Sequence, residues 1–534
     1  MRMALVFPPK ASPTYMPLGV ASLVAYLKKE CPECSPRVLD INLDTWRWLA
    51  EEDPDGVAML GFFNGTHGRF FDPADYAAHA RTWNRIRARM TRLSAEAIRY
   101  VDQGTAAVLF TTFLDRQVQD IMATDPELVG FSMAFLDQVP FALALAGKIH
   151  DMSRSRKPGI IFGGAAMNAL KVQELLIACP YVAGVVTGEG ESGLAELCSG
   201  REPEEIPGLV FRQHGGIRKN PNPVTLSLKG LPAPDFSEFR VHDYFNPQPV
   251  IPVLYSRGCD WRKCRFCVHN ASFAGYRAKG AAAFVLELAA YQARHGVSHF
   301  YSADQYIRAV DLERIADVIL DMKLNIKLHV LGRPLDDWTP SRAEKLARAG
   351  CTWIGWGVES GSPRLLDLIN KGTNVDTIKA ALRNTHQAGI SNLAMMIFGL
   401  PTGTDQDLRC TFRFMEDVYG LVGGFSTSAF VLWAQAHFGR NAAKYGLHVT
   451  GNRLLLKAGG VPVHSHRLDF KEISPAGELI DPRGPVELAA WDDRKAWLGD
   501  RSFLENLPCE HYFLYVSRKQ AGGFKPIHPG KQAA

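Results

Sequence analysis

No apolar run in this 534-residue chain approaches the ~18 residues that a membrane helix needs, so no membrane span or membrane partner is expected. The apolar run Met3–Phe7 is cut off by Pro8-Pro9, too short for a signal peptide. A cytoplasmic, reducing location is expected. An excess of one charge is missing too. Lys and Arg number 60 against 55 Asp and Glu, a net charge of +5, which is too small and too spread out to point to nucleic acid. Cysteine is sparse at ten residues, and without a secretory signal these are expected as metal ligands or buried thiols rather than bridges. The 46% hydrophobic and 22% charged content is ordinary for a globular protein, and the length suits two or three domains.

Against that background one stretch stands out. Cys259, Cys264 and Cys267 fall within Tyr255-Ser-Arg-Gly-Cys-Asp-Trp-Arg-Lys-Cys-Arg-Phe-Cys-Val-His269. A strand-like run from Val250 leads into it, and Gly258 permits a turn at the strand end. Thiolates this close suit zinc or an iron–sulfur cluster. A closed zinc site wants a fourth ligand, and the only near candidate is His269, awkwardly close behind Cys267. Three cysteines on a four-iron cluster leave one iron open, and an open metal position is what catalysis requires. A second pair, Cys31-x-x-Cys34, has no partner pair nearby and reads as a helix-end turn.

Along the rest of the chain, strands and helices alternate. Strands are expected at 3–9, 37–42, 128–132, 159–162 and 182–186, with helices at 16–29 and 141–152. Strands alternating with helices imply an α/β, doubly wound, Rossmann-like sheet. Its ligand loops lie beyond the strands' carboxyl ends, at 8–19, 132–140, 163–170 and 188–193. Residues 43–127 read as an insertion with a helix near 77–101. Residues 201–249 carry eight prolines and read as a linker. From 250 to 436 six further strand–helix units imply a partial (β/α)6 barrel, with polar residues clustered just past the strand ends. Residues 437–534 lose the pattern and read as mixed helix and loop around His464, His466, Trp491, Trp497 and His511, with a loose end from Gly522.

The spacing Cys259-x4-Cys264-x2-Cys267, with Phe266 before the last cysteine, resembles the cluster motif of the radical S-adenosylmethionine (SAM) enzymes. Four residues rather than the commoner three separate the first two cysteines. That spacing, with Trp261 inside it, resembles variants in the cobalamin-binding branch. Gly355-x-Gly357-x-Glu359-Ser360, Lys371-Gly372, Ala388-Gly-Ile390 and Gly399-Leu-Pro401 follow the family order. The resemblance implies that Glu359 and Ser360 bind the ribose or methionine end of SAM and that Arg333 pairs its carboxylate. It also implies that Phe266 abuts the adenine and that Asp304 faces the cavity.

Residues 1–200 resemble the family's cobalamin-binding domain at Pro17-Leu-Gly19, Ser132, Gly163-Gly164 and Gly188-Glu189-Gly-Glu191. There is no Asp-x-His-x-x-Gly, so a cobalt without a protein histidine is implied. Gly163 and Gly164 are expected to let the backbone approach a large flat ring. The implied cofactors are a 4Fe-4S cluster, SAM and cobalamin, with an external electron donor of flavodoxin or ferredoxin type. The implied activity is C-methyl transfer to an unactivated carbon of a peptide or small natural-product precursor. The alternative is cyclisation or rearrangement without methyl transfer. A cofactor-binding sensor without turnover is the rival from another class. The tail 437–534 would cap the substrate.

Overall fold

The computed structural model describes residues 1–65, 68–152, 157–221, 223–269, 273–474, 476–495 and 507–520. The chain forms two compact units. The first comprises Met1–Gln248 and Asn452–His466; the second runs from Pro249 to Gly451 and resumes at Arg467. Among the described residues no helix is long and apolar enough to cross a membrane.

The first unit is built on a seven-stranded sheet. Its strands are β1 (Arg2–Val6), β2 (Ser35–Leu39), β3 (Leu128–Ser132), β4 (Gly159–Gly163), β5 (Gly184–Val186), β6 (Leu209–Gln213) and β7 (Gly216–Lys219). Their order is β2-β1-β3-β4-β5-β6-β7, parallel through β5 and antiparallel after it. Every residue of β3 is buried, as is β1 after Arg2, which is why these strands read as unbroken apolar runs. The expected linker is therefore partly sheet: residues 209–219 form β6 and β7, and the unit extends to Gln248 rather than ending at 200. Pro203, Pro207, Pro221 and Pro223 flank these strands rather than enter them, since proline cannot donate to a ladder.

The insertion holds four helices, Ile41–Glu51, Gly56–Asn64, Pro73–Gln103 and Val108–Met122. The longest starts where the Asp72 carboxylate accepts the amides of Ala74 and Asp75 at 2.9 and 3.0 Å, with Pro73 in the first position. It stops at Gly104, in a left-handed conformation at φ +70°. Ile86, Met90, Leu93 and Ala97 recur at helical spacing and are all buried. Trp83 of the same helix stacks on Trp46 at 5.1 Å.

The second unit contains a six-stranded parallel sheet in the order β15-β14-β13-β12-β11-β8, the open barrel expected from sequence. The strands are β8 (Val250–Val253), β11 (His299–Ser302), β12 (Lys327–Gly332), β13 (Cys351–Glu359), β14 (Ser391–Phe398) and β15 (Gly424–Ala429). Two short antiparallel strands, β9 (Ser256–Arg257) and β10 (Arg277–Ala278), bracket the cysteine loop. Tyr301, His329 and Trp353 stand opposite one another on β11, β12 and β13. The His329 ring lies 4.1 Å from each of its two neighbours. Helix Cys509–Gln520 adds Phe513 to this stack, 6.2 Å from Trp353.

The tail is more regular than expected. Leu447–Ala458 and Val461–Ile473 are long neighbouring strands joined by Gly459-Gly460. Both glycines take positive φ, +55° and +81°, the geometry of a tight hairpin turn. Residues 452–466 of the hairpin belong to the first unit. There Lys171 N donates to the His464 carbonyl at 3.0 Å, and His464 Nδ1 meets Glu174 Oε2 at 2.9 Å. Trp497 and the stretch from Gly522 lie outside the described residues.

Candidate functional site

Burial dictates how the cysteine loop is held. Asp304, 1% exposed, follows β11 and accepts from Tyr255 N at 3.1 Å, Ser256 Oγ at 2.6 Å and Ser302 Oγ at 2.8 Å, and from Ser256 N. Burial pushes its pKa up from the usual carboxylate range, against the pull of these bonds. Its oxygens fasten β8 and β9 at the root of the loop. Gly258 follows at φ +83°, and a Cβ there would lie 2.0 Å from the Gly275 carbonyl oxygen, so only glycine fits.

The loop is then clamped from the far side by residues 368–372. Trp261 Nε1 donates to the Asn370 carbonyl at 2.7 Å, Arg265 N to that of Ile369 at 2.9 Å and Arg265 Nη1 to that of Leu368 at 2.8 Å. Gly372, at φ +72°, lies flat under Trp261: a Cβ would come 2.4 Å from the indole ring. The residue that lengthens the cysteine spacing thus has a mechanical use, since the indole inside the loop is the part that is gripped. Arg333 stacks over Trp261 at 5.0 Å and Tyr306 at 5.7 Å, and its Nη2 donates to the Lys371 carbonyl at 2.9 Å. It is 8% exposed. Its Nη1 lies 3.8 Å from Asp260 Oδ1, so the guanidinium bridges the cysteine loop and the residue after Asn370.

Glu359 closes β13 with its backbone at φ +72°, a conformation costly for a residue with a Cβ. Its Oε1 lies 2.7 Å from Lys371 Nζ, and both side chains are buried. The two glycines before it have separate reasons. A Cβ at Gly355 would strike the Leu331 side chain at 2.6 Å, and one at Gly357 would come 2.7 Å from Lys371 Nζ and 2.9 Å from Glu359 Oε1. Ser360 is 1% exposed; its Oγ lies 3.1 Å from Thr411 Oγ1 and accepts from Ser362 N. These bonds prop the turn after Glu359.

All ten cysteines are thiols. Cys259, Cys264 and Cys267 are partly exposed, and burial raises the Cys264 thiol to about 11 while Lys371 and Arg333 pull the other way. Among the described residues no three His, Cys, Asp or Glu side chains converge on a single metal ion. Sulfurs that bind separate irons of a cluster need not converge so tightly. Three half-exposed thiols with two fixed cations beside them suit an anionic cluster.

In the first unit the chain leaves β1 toward β2 on one side and returns to β3 on the other. That reversal makes a switch point outside β1 and β3. Buried Gln138 ties the two loops there. Its Nε2 donates to the Pro8 carbonyl at 2.6 Å, and its Oε1 accepts Ala134 N and Phe135 N at 2.8 and 3.0 Å. Tyr15 meets Phe135 edge-on at 5.9 Å, leaving Phe135 47% exposed. Ser132 lies at the end of β3, buried. Gly163 has room for a Cβ, with its nearest neighbour, the Val186 carbonyl oxygen, at 3.7 Å. Gly164 does not: at φ +93° its Cβ would lie 2.4 Å from the Met133 carbonyl oxygen. Gly188, at φ +75°, has no room either: its Cβ would lie 2.2 Å from the Pro223 ring. Gly164 and Gly188 therefore let neighbouring chain, at Met133 and Pro223, come close. Glu189 precedes helix Gly190–Cys198 and is half-buried. Gln138, Tyr15 and Phe135 escaped sequence reasoning because no motif spacing marks them.

Residues 253–415 match the family model of the radical SAM superfamily. This stretch is a radical SAM domain. Its fold resembles that of cobalamin-dependent members along nearly its whole length. A structure of the cobalamin-dependent SAM radical enzyme OxsB with aqua-cobalamin superposes with TM-score 0.66 at 15% identity, covering 97% of this chain and 71% of the other. The radical SAM methyltransferase TsrM from Kitasatospora setae, with cobalamin and a 4Fe-4S cluster bound, superposes with TM-score 0.62 at 17% identity, covering 98% and 99%. Among curated relatives, an uncharacterised methyltransferase of Pyrococcus horikoshii is 27% identical over 45% of this chain and 53% of its own length. The anaerobic magnesium-protoporphyrin IX monomethyl ester cyclase of Synechocystis is 26% identical over 48% and 53%. The chain thus spans about half the length of the curated relatives it matches.

Proposed function

We propose that this chain is a cobalamin-dependent radical SAM C-methyltransferase acting on an unactivated carbon of a small-molecule or peptide substrate. The observation that carries the reading is the meeting of the clamped three-cysteine loop with the buried Glu359 carboxylate at the strand ends of one barrel. Cys259, Cys264 and Cys267 would hold the cluster, and the switch point of the first unit would hold the corrinoid without a protein histidine. When bound, the cluster supplies the electron that opens a sulfonium bond of SAM, and the corrinoid supplies a carrier for the methyl group. Glu359 would accept hydroxyl protons of the ribose, and Phe266, between two cluster cysteines, would flank the adenine. Arg333, Trp261 and Asp304 keep the loop in place, since orientation of bound reactants is a large part of catalysis. An external donor of flavodoxin or ferredoxin type would deliver the electron.

The methyltransferases among the similar proteins favour this reading. Cyclases are among them too, which supports cyclisation or rearrangement as the second reading. Anaerobic turnover followed by mass spectrometry decides. A product heavier by one CH2, formed together with S-adenosylhomocysteine, supports methyl transfer; an altered product without that gain supports the second reading.

A further inference from the structure

Lys371 comes from neither the cysteine motif nor the strand-end glycine motif, yet its ammonium lies where the two meet. Nζ is 2.7 Å from Glu359 Oε1 and 5.9 Å from the centroid of Phe266, the residue between Cys264 and Cys267. Lys371 is 6% exposed and Glu359 8%. Two backbone features serve this pair. Glu359 holds a left-handed φ of +72°, strain that persists only when the surroundings over-determine it. Gly357 leaves the space in which the pair sits, since its Cβ would lie within 3 Å of both charged atoms. A buried ion pair is a weak source of stability compared with apolar side chains of similar size. Its placement, rather than its energy, is what it contributes.

We propose that Lys371 is a positioning residue of the cofactor site: it fixes the Glu359 carboxylate for SAM and sets a positive charge beside the cysteine loop that favours the reduced cluster. The assignment rests on the radical SAM reading. The sign of the electrostatic part follows from charge. Reduction adds one negative charge to the cluster, and a fixed cation in a poorly solvated wall stabilises it. The guanidinium of Arg333 is held by the Lys371 carbonyl, so the two cations are also linked through one residue.

The test uses the full chain, reconstituted anaerobically, as wild type, Lys371→Met, Lys371→Arg and Gly357→Ala. Three quantities are read: iron per chain, cluster midpoint potential by spin-resonance titration, and SAM affinity by equilibrium dialysis. With iron retained, Lys371→Met is expected to shift the potential to more negative values and to weaken SAM binding about tenfold or more. Lys371→Arg is expected to restore the potential but not the affinity, because the charge returns and the reach to Glu359 does not. Gly357→Ala keeps both charges and pushes them apart, so affinity falls while the potential stays near wild type. Wild-type potential and affinity in Lys371→Met overturn the assignment, and Lys371→Arg behaving like Lys371→Met in potential overturns its electrostatic half. If Lys371→Met loses iron, Gly357→Ala decides, and unchanged SAM affinity there overturns the positioning. A wild-type chain that takes up no iron overturns the radical SAM reading itself, and this assignment with it.

Discussion

The two strand-end sites use glycine in opposite ways. In the first unit Gly164 makes room for the chain itself, at the Met133 backbone. In the second, Gly357 and Gly372 make room for particular side chains, the Lys371–Glu359 pair and the Trp261 indole. One site is shaped by backbones approaching one another; the other is assembled by side chains that fit. A site of the second kind writes itself into residue identities at fixed spacing. A site of the first kind leaves only glycines, whose purpose is legible once the neighbouring loop is in view.

The sharpest break of this comparison removes one site and asks after the other. Replacing Cys259, Cys264 and Cys267 together by alanine is expected to abolish iron binding and reductive SAM cleavage while corrinoid binding persists. Iron analysis and the corrinoid absorption spectrum report both halves. Loss of both would mean that the sites are not independent.

The glycines give the next largest effect. Gly372→Ala places a Cβ against Trp261 in a left-handed backbone, and a loss of about 1–3 kcal/mol is expected, with poorer iron retention. Gly163→Ala meets nothing closer than 3.7 Å and is expected to leave the melting temperature nearly unchanged. Corrinoid lost from Gly163→Ala at full stability would mark direct contact with the ligand. An unperturbed Gly372→Ala would show that the Trp261 grip is unimportant.

The smallest effect concerns a group outside both sites. His329 is 1% exposed, and among the described residues neither ring nitrogen has a partner. Burial holds it down to about 3. Between that value and the ordinary ~6.5 the unfolded chain binds the extra proton, so stability must fall as pH drops through the window. His299, held down to about 4, adds to the same slope. His329→Phe keeps the stack between Tyr301 and Trp353 and is expected to flatten the loss of stability between pH 6.5 and 5 in urea titrations. An unchanged slope would mean that the ring is reached by water.

The sheets were readable from sequence because their strands are buried runs between helices: β1, β3 and β4 lie within a few residues of expectation. The cysteine loop and Glu359 were readable because chemistry fixes their spacing. Other features were hidden for physical reasons. Asp304 and Ser360 stand just past strand ends, yet their polar atoms bond neighbouring backbone and hydroxyls, and residue type alone does not reveal a satisfied hydrogen bond. The strands β6 and β7 were masked by the prolines that flank them. The hairpin at 447–473 carried a signal that went unused, a Gly459-Gly460 turn between two runs of strand formers.

The central claim is that the three cysteines hold a cluster with one iron open to SAM. Its most direct test is the spin-resonance spectrum of the anaerobically reconstituted, reduced full chain, recorded with and without SAM. The account predicts about four irons per chain and a reduced-cluster signal whose g-values move on adding SAM. A chain without iron, or a cluster signal indifferent to saturating SAM, would contradict it.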